Sequence, residues 1–489
     1  MSVTSDGVHG ASEEATAAKL GRRSLGVADI VFFVVAASAP LTVVAGGVPA
    51  SFAVTKVLGI PLVYVIIAVI LLVFSVGYAA MSRHVANSGA FYTYVSKGLG
   101  QAWGVSAALV ALVAYNTMQV GIFGLYGFAA SAALEQFLGV HVAWWISALV
   151  TVGIIAILGQ LRVDLNARVL ALFLILETLV VLTFDIAGIV RPAEGLTVVP
   201  FLPSALTSGA VGAALCFVTA SFIGFESAAI YGEECKDPQK TVARATYTAV
   251  IIIGVFYALS AWSTVMAVGK SQIISRSQEL TAGLLFTYAE QNVGKWFADV
   301  ATVLFVTSLF AALLSFHNAV ARYFFCMGRE GVLFSPLAAV NTRGAPMAGS
   351  LTQSAIAVVL IGLFAILGKD PVLSLFTWLT NVGALGVIFL MALTSVAVLV
   401  YLRRHSDVSE ATVGHEATAG VSSIALFAVF VLAVINFDAL VGSTPDDPLR
   451  WILPGLIIGA AVLGLVYGLV LKRTRPDVYA VVGRGGDAA

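Results

Sequence analysis

The sequence predicts an all-α integral membrane protein with twelve transmembrane helices. Three observations carry the prediction: 60% of the 489 residues are apolar, only 11% are charged, and the apolar residues gather in twelve long runs. A soluble domain carries roughly 25% charged residues because its surface needs them. Most of this surface must therefore face something other than water. A span of about 20 apolar residues matches the hydrocarbon thickness of a bilayer. None of the runs alternates as a barrel strand would, so helices are the spanning element.

In chain order, residues 1–24 are polar and small and read as a disordered cytoplasmic tail. Arg22 and Arg23 precede a run too long for the core of a signal peptide, which reads instead as the first span. The spans fall at about 26–50, 60–82, 102–136, 142–160, 166–190 and 207–231. The remainder fall at about 242–268, 297–328, 348–367, 372–402, 420–440 and 451–471. With the N-terminus inside, the outer connections hold only Lys56, Arg191, Lys270, Arg276, Lys295, Lys369 and Arg450. The other basic residues, among them Arg83, Lys97, Lys236, Arg322, Arg403 and Lys472, fall on the inner side. This bias predicts a multi-pass protein of the cytoplasmic membrane with both termini in the cytoplasm, which requires an even number of spans.

Spans 1 and 6 are interrupted. The first contains Ser38-Ala39-Pro40 followed by Gly46-Gly47. Pro40 lacks an N–H and clashes with the preceding turn, so it suits the first turn of a new half-helix, with Ser38 close to the capping position. The sixth contains Ser221-Phe222-Ile223-Gly224-Phe225-Glu226-Ser227, where a glycine stands beside a membrane-embedded acid. Interruptions at corresponding places in two halves point to a transporter's midplane binding site. The plainer alternative is a proline kink in one span and a packing glycine in the other.

A carboxylate at the bilayer centre costs about 2.5–3.5 kcal/mol on insertion scales, so Glu177 in span 5 and Glu226 in span 6 each need a reason. Desolvation favours the neutral form of a carboxyl, which suits a group that exchanges a proton near neutral pH. The alternative for each is a neutral side chain hydrogen-bonded for structure. Asp185, farther along span 5, reads as interfacial. His317 reads as a packed side chain, since no second histidine completes a metal site. Asn116 and Gln119 in span 3, with Trp378 and Asn381 in span 10, either line a cavity or hold helices together.

Other classes fit poorly. Zero net charge gives no nucleic-acid footprint. Cys216, Cys235 and Cys326 form no pairing or zinc pattern. No clustered His/Asp set or nucleophile with a base indicates an enzyme, no GxxxxGK loop indicates an ATP-driven pump, and no cofactor is expected. A ligand-sensing receptor would usually carry an appended domain, and the two tails are short.

Three stretches give the chain its resemblance to the amino acid–polyamine–organocation (APC) transporter superfamily. Gly89-Ala90-Phe91-Tyr92-Thr93-Tyr94 is similar to the loop after span 2. The span 6 stretch from Ser221, running on to Gly232-Glu233-Glu234-Cys235-Lys236-Asp237-Pro238, resembles that family's span 6 signature. His317-Asn318-Ala319 through Gly328-Arg329-Glu330-Gly331 resembles the end of its span 8.

The resemblance implies a LeuT-like core of two inverted five-helix repeats over 25–403, with helices 11 and 12 over 404–472 and a cytoplasmic tail over 473–489. It implies a site between the broken helices 1 and 6, reached alternately from either side. The amides around Ser38, Ala39, Leu41 and Thr42 would hold an α-carboxylate, and the carbonyls of Ala36, Ala220 and Ile223 the amine. Phe222, Gly224, Asn116 and Asn318 would complete the substrate site. Ala220 stands where relatives often carry a gating aromatic, so the gate would fall to Phe222, Phe217 or another aromatic. Glu177 stands where several relatives carry a membrane lysine. The implied function is import of an amino acid driven by protons, with Glu177 and Glu226 in coupling. Sodium coupling, and transport or exchange of a small amine or polyamine such as ethanolamine, putrescine or a GABA-like compound, are the alternatives.

Overall fold

The computed structural model describes residues 26–82, 90–161, 167–226, 238–342, 344–404, 413–442 and 446–483. The tails 1–24 and 484–489, Gly89, and the stretch 227–237 with Ser227 and Cys235 lie outside the described residues. Among the described residues the chain is helical and contains no strand.

Ten helices among the described residues are long and apolar enough to cross a membrane. They are α3 (Ile60–Ser82), α5 (Gln101–Leu138), α6 (Trp144–Leu161), α7 (Ala167–Val190) and α9 (Pro238–Val268), then α12 (Lys295–Arg329), α13 (Met347–Ile366), α14 (Thr377–Arg404), α15 (Val413–Ile435) and α17 (Leu449–Thr474). Each falls on an expected span. Their outer faces carry exposed Ile157, Leu179, Ile186, Ile424, Phe427 and Leu463, an apolar belt that water would not tolerate. The most apolar stretch of α5 is 89% buried against 28% in α6 and α17, which makes α5 the central post and the others peripheral. Helix α5 packs against α12, α14 and α17, while α3 packs against α9 and α15.

The expected spans 26–50 and 207–231 are not single helices. The first is α1 (Val27–Ala37), a turn, and a renewed helix that runs as a π-helix over Thr42–Gly47 into α2 (Val48–Thr55). The second is α8 (Val211–Ala220), followed by turns through Gly224. Helix α14 is also preceded by a π-helical turn, Pro371–Phe376, whose amides at Val372 and Leu373 donate to the Asp370 carboxylate at 2.8 and 2.6 Å.

Short helices occupy connections that the sequence reading left as loops. These are α4 (Ala90–Leu99), α10 (Ile273–Leu280), α11 (Leu284–Asn292) and, beyond α17, α18 (Pro476–Val481), while α16 (Phe437–Val441) takes up the end of the expected span 420–440 after α15 stops at Ile435. Amphipathicity explains α4, which buries Phe91, Tyr92, Tyr94 and Val95. The buried Glu330 carboxylate accepts from the Tyr92 hydroxyl at 3.1 Å and the Gly483 amide at 3.3 Å, joining α4, the end of α12 and the C-terminal segment. Burial and the neighbouring Glu330 carboxylate hold the Tyr92 phenol well above its ordinary value, so it acts as a donor.

Close approach of α4 to α14 depends on Gly98. A methyl there would meet the Ala397 backbone, with the carbonyl carbon at 2.6 Å and Cα at 2.7 Å. Backbone cannot rotate away as a side chain can. Gly98→Ala should therefore cost about 1–3 kcal/mol of stability, the usual range for overpacking. The expected readout is a lower thermal unfolding midpoint of the detergent-purified protein.

Candidate functional site

The site is built where the two interrupted elements face each other. Helix α1 ends because the Ser38 amide bonds back to Val34 and Val35 carbonyls at 3.1 and 3.2 Å, and the Ala39 amide to Ala36 at 3.1 Å. Ala39 then takes φ +46°, a left-handed conformation uncommon for a residue with a side chain. Pro40 follows and opens the renewed helix, as its ring geometry favours. Ser38 does not cap that helix as expected. Its hydroxyl donates backwards to the Val35 carbonyl at 2.7 Å, because it closes the end of α1 and does not open the next helix.

Helix α8 ends in tight turns. Amides of Ser221, Phe222 and Ile223 bond to the carbonyls three residues earlier at 3.0, 3.0 and 3.3 Å. Gly224 sits at φ +114°, which L side chains rarely adopt. Its amide donates to Glu226 Oε2 at 2.8 Å, and Tyr115 on α5 donates to Oε1 at 2.8 Å. Both oxygens of Glu226 are thus engaged in pinning the turn to the central helix.

Two tyrosines brace the interruptions from neighbouring helices. Tyr257 on α9 bonds to the Ser38 carbonyl and hydroxyl oxygens, each at 3.0 Å. The Tyr64 hydroxyl on α3 lies 3.0 Å from Ser221 Oγ, and the two tyrosine rings are 5.7 Å apart. Removing one partner of a buried hydrogen bond costs about 1–3 kcal/mol. Tyr257→Phe should lower stability by that amount, measured as a shift in the denaturation midpoint.

Between the interruptions lies a cavity of about 60 Å³. Ser38, Ala39, Thr42, Val43 and Gly47 line one side, and Phe217, Ala220, Ser221 and Ile223 the other. Met118 and Ile122 of α5, Ala312 and Phe316 of α12, Phe376 and Thr380 complete the wall. No charged side chain lines it. The ends of α1 and α8 present carbonyls with partial negative charge, while the helix renewed at Pro40 presents its positive end. This polarity suits a zwitterion with an uncharged, apolar side chain.

Of the amides expected to hold a carboxylate, those of Ser38 and Ala39 bond back to α1, and the Leu41 backbone hydrogen-bonds Glu177. The Ala36 and Ala220 carbonyls accept from Ala39 and Ile223. Glu177, buried near the middle of α7, accepts from Ser308 Oγ on α12 at 2.9 Å, and Ser308 Oγ lies 3.1 Å from Thr42 Oγ1. This relay connects the carboxyl to the cavity wall.

The other expected residues are spread more widely. Phe217 lines the cavity and meets Phe376 edge-on at 6.2 Å, whereas Phe222 packs against Tyr64 outside it. Asn116 and Asn381 donate to the carbonyls of Leu112 and Thr377 within their own helices. Gln119 bonds to the Leu313 carbonyl and to Gln353. Asn318 is half-buried on α12 and outside the cavity lining. His317 packs against Gly159 and bonds to Ser350 at 2.8 Å, the packing role expected of it.

Asp185, five residues from the end of α7, does not face outward from the helix bundle. It is buried, accepting from Ser260 Oγ on α9 at 2.7 Å, because α9 covers that face of α7. The sequence reading missed Tyr64, Tyr115 and Tyr257, and also Met118, Ile122, Phe316, Phe376 and Thr380, which stand unmarked inside apolar runs.

Known proteins resemble the chain over most of its length. It is 26% identical over 430 residues to the branched-chain amino acid permease of Bacillus subtilis (strain 168), covering 83% of this chain and 86% of that one. The branched-chain amino acid permease of Lactococcus lactis subsp. cremoris matches at 26% identity over 63% of this chain and 68% of its own. The L-asparagine permease of Escherichia coli (strain K12) matches at 23%, over 72% of each chain. A family model described as amino acid permease matches residues 25–463, and the chain belongs to that family, within the APC superfamily.

Proposed function

We propose that the protein imports a neutral, apolar amino acid of the branched-chain type across the cytoplasmic membrane by alternating access, driven by protons. The observation that carries this reading is the cavity between the two interruptions, with helix ends of both polarities and no charged side chain in its wall. An α-ammonium would meet the carbonyl ends of α1 and α8, and an α-carboxylate the opening of the renewed helix near Thr42. Val43, Met118, Ile122, Phe217 and Phe376 would receive an aliphatic side chain. Polyamines fit less well, since a second ammonium would find no carboxylate in the wall, and a small monoamine would leave the positive opening of the renewed helix without an anion. The names of two relatives, branched-chain amino acid permeases, agree with this chemistry.

Ten long helices and two interrupted elements support a twelve-span molecule with inverted repeats, and the basic residues support cytoplasmic termini. Glu177 is assigned the coupling role: protonation there would alter the Ser308–Thr42 relay at the cavity wall. Glu226 instead holds the span 6 turn closed. The oxygens of Glu177, Ser308 and Thr42 would also suit a sodium ion, which favours sodium coupling as the second reading. The test is thermal stabilisation of the purified protein by L-leucine, L-isoleucine, L-asparagine, L-arginine and putrescine. Proteoliposome uptake under separate proton and sodium gradients follows. The reading requires stabilisation by the branched-chain amino acids and proton-driven uptake; stabilisation by putrescine alone would overturn it.

A further inference from the structure

A second cavity, of about 350 Å³, opens at the far end of α5, between α11 and the start of α12. Its volume falls in the ordinary range for small-molecule sites, roughly 300–1,000 Å³. Phe128, Phe286 and Phe305 supply an aromatic wall, with Phe286 and Phe305 5.3 Å apart. Glu290 and Lys295 line the same cavity with opposite charges. Neither is in an ion pair among the described residues. Gln136, also lining it, donates to Asp299 Oδ1 at 2.6 Å. Exposed Trp296 beside it suits the membrane–water boundary.

From this arrangement we infer a second binding site for a zwitterion carrying an apolar group, distinct from the central cavity. The ammonium would lie toward Glu290, the anionic group toward Lys295, and the apolar part against the phenyl rings. A cavity with one charge would select a simple ion, and a cavity without charge would select a hydrocarbon. This one presents both charges around an aromatic floor. It also stands on the same two helices that line the central cavity, displaced by about ten residues, or roughly 15 Å at 1.5 Å per residue. On the proposed orientation it faces outward, where it would capture amino acid ahead of the central site; this part of the inference rests on the amino acid reading above. Both charged side chains are exposed, so the attraction is screened and binding is weak and salt-sensitive. The same chemistry belongs to a free amino acid and to a zwitterionic lipid headgroup.

The experiment is equilibrium binding of labelled L-leucine to the detergent-purified full chain. In parallel, the lipid retained after reconstitution is identified by mass spectrometry, in phosphatidylethanolamine and in phosphatidylglycerol. The inference expects two equivalents of leucine on the wild type, one on Glu290→Gln/Lys295→Met, one on Ala312→Phe, which fills the central cavity, and none on the combination. One leucine equivalent together with one phosphatidylethanolamine that the Glu290→Gln/Lys295→Met protein loses also supports the site, and names the headgroup as its occupant. A single leucine equivalent removed by Ala312→Phe, with neither leucine nor lipid changed by the charge substitutions, overturns the second site and leaves the central one standing. Leucine lost on the charge substitutions yet retained in full on Ala312→Phe overturns the central reading instead. Absence of both ligands from the wild type overturns both.

Discussion

Ala312→Phe is expected to abolish binding of L-leucine at the central site, by at least 100-fold, while the protein still folds and inserts. Ala312 lies on α12 in the wall of a cavity of only about 60 Å³. The added ring would project from the cavity wall into the space left for the ligand. A 100-fold loss corresponds to about 2.8 kcal/mol at 1.4 kcal/mol per decade. That matches the usual cost of forcing extra carbon into a packed interior, about 1–3 kcal/mol, here borne by the ligand's space. Leucine titration of the purified variant measures it, with the unfolding midpoint as a check on folding. Unchanged affinity would mean that substrate binds elsewhere.

The second large effect concerns coupling. Glu177→Gln keeps the shape of the side chain and can still accept from Ser308, but it has no proton to exchange. Accumulation under an imposed proton gradient should fall at least tenfold, toward equilibration. Exchange of internal for external leucine, which needs no net proton movement, should stay within about threefold of the wild type. The comparison separates coupling from binding, since a residue that only held helices together would lower both rates in step. A sodium-dependent loss without a proton-dependent one would move the assignment to the second reading.

Much of the architecture was legible in the sequence because the bilayer imposes length and apolarity on every span. The ten long helices follow from that requirement alone. The end of α1 was legible through Pro40, and the turns after α8 through Gly224 beside Glu226, residues that a helix tolerates poorly. The cavity wall was not. Met118, Ile122, Phe316 and Phe376 are as apolar as neighbours facing lipid, so no pattern separates the two inside an apolar run. The left-handed Ala39 was equally hidden, since its conformation follows from the turn closing α1 ahead of Pro40. Ser38 shows how a hydroxyl near a break serves either the ending helix or the opening one, and only the geometry decides. Asp185 lies close to the end of α7, which suggested an interface; the covering face of α9 buries it. The tyrosine braces could not be anticipated, because Tyr64 and Tyr257 are distant in sequence from the backbone turns they hold.

The central claim is that a neutral apolar amino acid is carried through the cavity between the interrupted elements. Its most direct test is proteoliposome uptake of labelled L-leucine under an inward proton gradient, with unlabelled competitors. The account predicts accumulation that L-isoleucine and L-valine suppress, that L-arginine and putrescine leave unchanged, and that Ala312→Phe abolishes. Accumulation suppressed by L-arginine, or surviving Ala312→Phe, would contradict it.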